Sequence, residues 1–111
     1  WYFGKSLDGF TPIGPCIVTA DAFADYPPRL GIRSFVNGEK RQDSNTALQI
    51  FDIDHVIAEL SQGMTLKAGT IIATGTPAGV GMGMDPPQFL KPGDVVRCEI
   101  DGIGTLTNPV E

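Results

Sequence analysis

The sequence predicts a mostly β barrel or roll with one helix attached. Two dipeptides, Asn37-Gly38 and Asp101-Gly102, each lie between extended runs. Such pairs favour type I′ hairpin turns, because both residues tolerate positive φ. Only one segment, 51–63, carries a helical apolar spacing. Glycine (14) and proline (9) are both plentiful, so turns and shaped loops take up much of the chain.

In chain order, residues 1–15 hold three glycines and two prolines beside several aromatic side chains. That composition predicts a loop with aromatic anchors. Cys16-Ile17-Val18-Thr19 is a short β-branched run and is expected to be a strand. The stretch 20–25 is expected to make one helical turn, stopped by Pro27 and Pro28. Leu30 to Val36 reads as a strand, and Glu39 to Asp43 as its return. The return strand has no apolar residue, so it is expected to be an exposed edge whose charges discourage unwanted pairing.

Ile53, Val56, Ile57 and Leu60 fall at i, i+3, i+4 and i+7 and make one apolar stripe. Asp52 is the expected N-cap of that helix and Gly63 its C′ residue. Thr70 to Thr74 reads as a buried-type strand leading into a glycine-rich loop over 75–83. Lys91-Pro92-Gly93-Asp94 is a turn. Val95 to Ile100 and Ile103 to Thr107 are then expected to pair across Asp101-Gly102. There is no internal repeat and no linker, so residues 1–111 read as a portion of one domain.

Hydrophobic residues make up 41% and charged residues 19%, the balance of a folded soluble chain. Eight basic and 13 acidic side chains leave a net charge of −5. That argues against nucleic acid or an anionic membrane as partner, since both select basic surfaces. No apolar run approaches the ~18 residues of a membrane-spanning helix. Cys16 and Cys98 are far apart, with no Cys-x-x-Cys spacing, and read as two buried, reduced thiols of a cytoplasmic protein. A chain opening on Trp1 is expected to be cut from something longer.

Three places offer chemistry. Asp52, Asp54 and His55 put two carboxylates beside the only imidazole. They sit where a helix starts, however, and acids are favoured at that end of the helix dipole. Successive helical residues also diverge by about 100°, so the three cannot all face one ion. They are expected to cap the helix and face solvent.

The loop 79–83, Gly-Val-Gly-Met-Gly, has dinucleotide-like spacing. Asp85-Pro86-Pro87 follows it where a nucleotide-binding helix would have to begin. Glycines there let the backbone approach something closely or turn sharply. Thr76 supplies a hydroxyl, and nearby amides suit an anion. On spacing alone, a ligand floor and an inert loop both remain open. Lys5, flanked by Gly4 and by Asp8-Gly9, can bind a carboxylate or polarise a carbonyl, or simply be a surface lysine.

These loops resemble the C-terminal part of the fumarylacetoacetate hydrolase family. The matching stretches are Gly4-Lys5-Ser6-Leu7-Asp8-Gly9-Phe10-Thr11-Pro12-Ile13-Gly14-Pro15, Val36-Asn37-Gly38-Glu39, Gln42-Asp43-Ser44-Asn45-Thr46, the run from Ile72 to Gly81 through Thr74-Gly75-Thr76-Pro77, and Leu90-Lys91-Pro92-Gly93-Asp94. They occur in family order and span nearly the whole chain.

The resemblance implies a β-roll of mixed sheets with one amphipathic helix, here incomplete. It implies an enzyme acting on small 2-oxo (di)carboxylates through an enolate. The reactions implied are C–C hydrolysis of acylpyruvates or fumarylpyruvate, and isomerisation or decarboxylation of 2-hydroxyhepta-2,4-diene-1,7-dioate. A divalent metal, Mg²⁺ or Mn²⁺, is implied as the Lewis acid that holds the 2-oxo acid. Its ligands, a Glu-x-Glu pair and a later Asp, belong upstream of the Gly-Lys-Ser motif. No metal ligand is therefore expected in this chain, and the chain alone is expected to be inactive.

By the same resemblance Lys5 is the catalytic lysine that helps carry developing negative charge. Thr76 contacts the substrate carboxylate, and Gly75 and Pro77 shape its loop. Asp8 lies in a matched motif without an assigned role. A cytoplasmic homodimer is implied for the full-length protein. A ureidoglycolate lyase-like enzyme and a non-catalytic carboxylate-binding module are the alternatives.

Overall fold

A computed structural model describes residues 2–111; Trp1, the first residue of the loop expected over 1–15, lies outside them. Four strands form one sheet in the order β2-β1-β3-β4. They are β1 (Gly31–Val36), β2 (Glu39–Asn45), β3 (Val95–Ile100) and β4 (Gly104–Pro109), and every neighbouring pair is antiparallel. Two hairpins, β1–β2 and β3–β4, are thus zipped together along β1 and β3. The mostly β reading with a single amphipathic helix holds.

The first hairpin turns as its dipeptide dictates, with Asn37 at φ 52° and Gly38 at φ 85°. Asn37 also ties this turn to the second hairpin. Its Nδ2 donates to Asp94 Oδ1 (2.9 Å), and its Oδ1 accepts from the Val95 amide (2.9 Å). At the other end of the sheet the Asp101 amide donates to the Gly31 carbonyl (2.9 Å). Arg33 grips both Asp101 oxygens at 2.8 and 3.3 Å. Arg97 lies over the Phe35 ring at 4.1 Å, a cation–π contact between directly paired residues.

The second turn differs from expectation. Ile100 pairs with Gly104, so the loop holds three residues, and Gly102 takes φ 74° while Asp101 stays at ordinary φ. Asp101 is committed through its amide and carboxylate to β1. That anchoring, beyond the reach of a dipeptide rule, selects the longer turn.

The helix α2 spans Ile53–Ser61, with Asp52 as N-cap: Asp52 Oδ1 accepts from the His55 amide at 2.8 Å. Ile53, Val56 and Leu60 are partly covered, while Ile57 is exposed. Inside the region read as a loop there is one turn of helix, α1 (Tyr2–Lys5), closed by Ser6 Oγ donating to the Tyr2 carbonyl (2.8 Å).

Two expected strands are absent among the described residues. Residues 16–19 and 70–74 run without strand pairing. β-branched composition favours an extended chain, but a strand also needs a hydrogen-bonding neighbour. Neither segment has one.

Coverage departs furthest from a self-contained domain. None of the described residues is buried, and Ile50, Ile17 and Phe3 are 92%, 82% and 77% exposed. The accessible surface is 8769 Å². A compact monomer of 11.8 kDa would expose about 5900 Å². Cys16 and Cys98, read as buried, are free and exposed for the same reason.

Candidate active site: the Gly-Thr-Pro loop on a strand bulge

The site is built on an irregularity in β2. Ser34 pairs with Gln42 and Phe35 with Lys40, which leaves Arg41 as an extra residue, a β-bulge. A bulge re-aims the side chains around it and sharpens the local twist. Here it turns Arg41 and Gln42 toward the glycine-rich segment 75–88.

Gln42 holds the Thr76 turn. Its Nε2 donates to Thr76 Oγ1 at 2.8 Å and to the Pro77 carbonyl at 2.9 Å. Its Oε1 accepts from Ser34 Oγ at 2.8 Å. Gly75, at φ 106°, turns the chain into this contact. Thr76 itself stays exposed while Pro77 is half-buried.

Two residues on, Gly79 packs on the bulge. A Cβ there would stand 2.0 Å from the Arg41 carbonyl oxygen, and Gly79 has φ 106°. Only glycine satisfies both conditions. The Arg41 guanidinium continues along the segment. Its Nη1 donates to Gln88 Oε1 and lies 3.1 Å from Met84 Sδ, and its Nη2 pairs with Glu39 at 3.3 Å. The loop from Gly75 to Gln88 is therefore fastened at several points to one strand.

Lys5 ends α1 and is exposed; its carbonyl accepts from Thr11 Oγ1. Lys5 and Thr76 share no hydrogen bond among the described residues. Asp8 is exposed. Two open depressions, of 440 and 530 Å³, are formed by residues 99–105 and 23–30, away from both Lys5 and Thr76.

The acid-rich helix start is occupied with structural tasks. Asp52 caps α2, Asp54 Oδ1 lies 3.4 Å from the Tyr26 hydroxyl, and the His55 ring stacks on Phe51 at 4.7 Å. Desolvation, then the Asp54 charge, raises the Tyr26 phenol above its ordinary value. Among the described residues no three His, Cys, Asp or Glu side chains converge as metal ligands. These residues by themselves do not fit a divalent metal centre.

In the sequence Gln42 lies in a matched stretch of an edge strand with nothing to assign it a role, and nothing there singles out Arg41 or Ser34. The only sequence signal was the uniformly polar return strand, which conceals a bulge because it has no apolar alternation to interrupt.

An antiparallel sheet thus carries a glycine-rich Thr loop fastened to a strand bulge. The chain belongs to the fumarylacetoacetate hydrolase family: the family model "Fumarylacetoacetate (FAA) hydrolase C-terminal" matches residues 1–111. It is 51% identical over 110 residues to the mitochondrial oxaloacetate tautomerase fahd2 of Xenopus laevis, covering 99% of this chain and 34% of that protein.

The fold matches a fumarylacetoacetate hydrolase from Exiguobacterium antarcticum with TM-score 0.90 and 54% identity, covering 98% of this chain and 39% of that one. It also matches a maleylpyruvate hydrolase from Sphingobium sp. SYK-6, solved with manganese(II) and pyruvate. There the TM-score is 0.83 and the identity 44%, covering 97% and 38% of the two chains. The chain thus spans about a third of the length of the relatives it matches. Divalent metal is used within the family. No helix among the described residues is long and apolar enough to cross a membrane.

Proposed function

We propose that the complete protein is an enzyme that forms and protonates enolates of small 2-oxo carboxylates, and that this chain supplies its carboxylate-holding loop and its charge-stabilising lysine. One observation carries the reading. The Gly75-Thr76-Pro77 turn is held by Gln42 with Thr76 exposed, in a chain similar to a hydrolase solved with pyruvate.

In this reading Thr76 donates a hydrogen bond to the substrate carboxylate. Lys5 offers its ammonium to the oxygen on which negative charge grows. Exposed on a short helix beside glycines, Lys5 is free to reach a substrate held by the rest of the protein. A divalent metal, Mg²⁺ or Mn²⁺, belongs to the proposal with its ligands outside this chain. The exposed apolar surface is area for the rest of the complete protein to cover, and the cytoplasmic homodimer that the family resemblance implies belongs to the proposal.

Two reactions share this chemistry. Tautomerisation of oxaloacetate moves one proton between carbon and oxygen. Acylpyruvate hydrolysis adds water to the distal carbonyl, breaks the C–C bond, and protonates the departing pyruvate enolate. The 51% identity to an oxaloacetate tautomerase favours the first, and the similarity to a maleylpyruvate hydrolase favours the second.

Assay of the complete protein with Mn²⁺ on enol-oxaloacetate and on acetylpyruvate tests the proposal. Turnover of either, lost in Lys5→Met, is the expected result. Activity on neither, with pyruvate failing to bind, would leave the family fold without this chemistry.

A further inference from the structure

We infer that Gln42 is a positioning residue that sets the direction of the Thr76 hydroxyl, making it a committed donor toward a ligand carboxylate. The inference rests on the reading of Thr76 given above, and it deepens that reading by explaining how the loop selects an ionised acid.

The polarity of the network follows from its ends. The Pro77 carbonyl only accepts, so the Gln42 group facing it at 2.9 Å must be the NH₂. The opposite end of the amide is then Oε1, which takes the Ser34 hydroxyl proton at 2.8 Å. Thr76 Oγ1 meets the same NH₂ at 2.8 Å and therefore accepts from it. One of its two lone pairs is occupied, and among the described residues no acceptor takes the Thr76 proton. A threonine hydroxyl has one proton to give. Here it is left to point away from Gln42, toward the exposed side of the loop.

A hydroxyl oriented in this way suits an acceptor-only group such as a carboxylate, because a donor such as an amide NH₂ would leave the Thr76 proton without a protein or ligand acceptor. The cooperative chain Ser34 to Gln42 to Thr76 also polarises the Thr76 O–H, which strengthens its donation. The bulge at Arg41 is what aims Gln42 at the loop, so the strand irregularity and the ligand polarity are linked.

The test uses the complete protein with Mn²⁺, and pyruvate as probe, read by titration calorimetry. Thr76→Val should weaken pyruvate binding about tenfold, the scale of one hydrogen bond to a charged group. Gln42→Met should weaken it about fivefold. The double variant should bind no worse than Thr76→Val alone, since Gln42 acts only through that hydroxyl. Gln42→Glu should bind worst near neutral pH, where its carboxylate captures the Thr76 proton. Its affinity relative to wild type should recover as the pH falls and the Glu regains a donor, while Gln42→Met shows no such recovery.

Should the Gln42 variants misfold, Ser34→Ala serves instead, with a two- to threefold loss, about one weakened neutral hydrogen bond, that vanishes in the Thr76→Val background. Additive losses, or a flat pH response of Gln42→Glu, would overturn the role of Gln42 while leaving Thr76 as the contact. Unchanged binding in Thr76→Val would overturn both.

Discussion

The carbonyl oxygen of Arg41 occupies the place where a side chain on Gly79 would begin, 2.0 Å from an ideal Cβ. One strand bulge and one glycine thus define how the Thr76 loop meets the sheet. Gly79→Ala must move this backbone or adopt a strained left-handed φ. A single residue held in such a region costs about 1–3 kcal/mol before any clash. Thermal unfolding of the complete protein should show at least that loss. Pyruvate affinity should fall with it, because Thr76 lies three residues away on the same loop.

Lys5→Met keeps the bulk of the stem and removes the charge. A donor to charge that grows only in the transition state should cost about 100-fold in kcat when removed. Steady-state kinetics on whichever 2-oxo acid the complete protein turns over will read this. Mn²⁺ affinity should change little, since an ammonium is not a metal ligand. Near-normal kcat would remove Lys5 from the mechanism.

Three carboxylates, Asp43 and Asp101 exposed and Asp94 half-buried, carry a pH signature. The Arg33 hydrogen bonds hold Asp101 below its ordinary value of 3.8. The Lys40 hydrogen bond does the same for Asp43, and the Asn37 hydrogen bond for Asp94. A folded value below the unfolded one means the stabilisation is fully present above the unfolded range. It is lost as pH falls through the folded values. The thermal midpoint should therefore drop on acidification below about pH 4, and less steeply in Asp101→Asn. Added salt should shrink the difference, because these pairs face solvent. An identical acid profile for the variant would detach Asp101 from the effect.

The 111-residue chain taken alone should self-associate and bind a hydrophobic dye. Its surface exceeds the compact-monomer value by roughly 2900 Å², and large apolar side chains such as Ile50, Ile17 and Phe3 stand exposed on it. It should show no micromolar Mn²⁺ site in calorimetry and no acetylpyruvate hydrolysis. Metal binding abolished by Asp52→Asn with Asp54→Asn would mean that the helix start holds an ion instead of a cap. In the complete protein, Asp52→Ala should cost about 1 kcal/mol of stability, the loss of one N-cap.

Local rules carried much of the fold. The Asn37-Gly38 turn, the α2 helix and the Asp52 cap depend on residues within a few positions of one another, and each appears as the sequence predicts, with Ile57 alone of the apolar stripe left exposed. The edge position of β2 was legible too, since a strand without apolar residues has no face to bury. The ordered motifs around Lys5 and Thr76 were enough to point to the family.

Tertiary structure decided what depends on partners distant in sequence. Residues 16–19 and 70–74 have strand composition yet find no neighbour, and hydrogen-bond pairing cannot be read from composition. Asp101 abandons the two-residue turn because Arg33, 68 positions away, takes its carboxylate. The bulge at Arg41, and with it the aim of Gln42 at Thr76 across 34 positions, is set by how β2 registers on β1 while the Gly79 backbone presses on its carbonyl. Sequence determined which residues could supply the chemistry. Only the packing of loop on strand determined which way the Thr76 hydroxyl points.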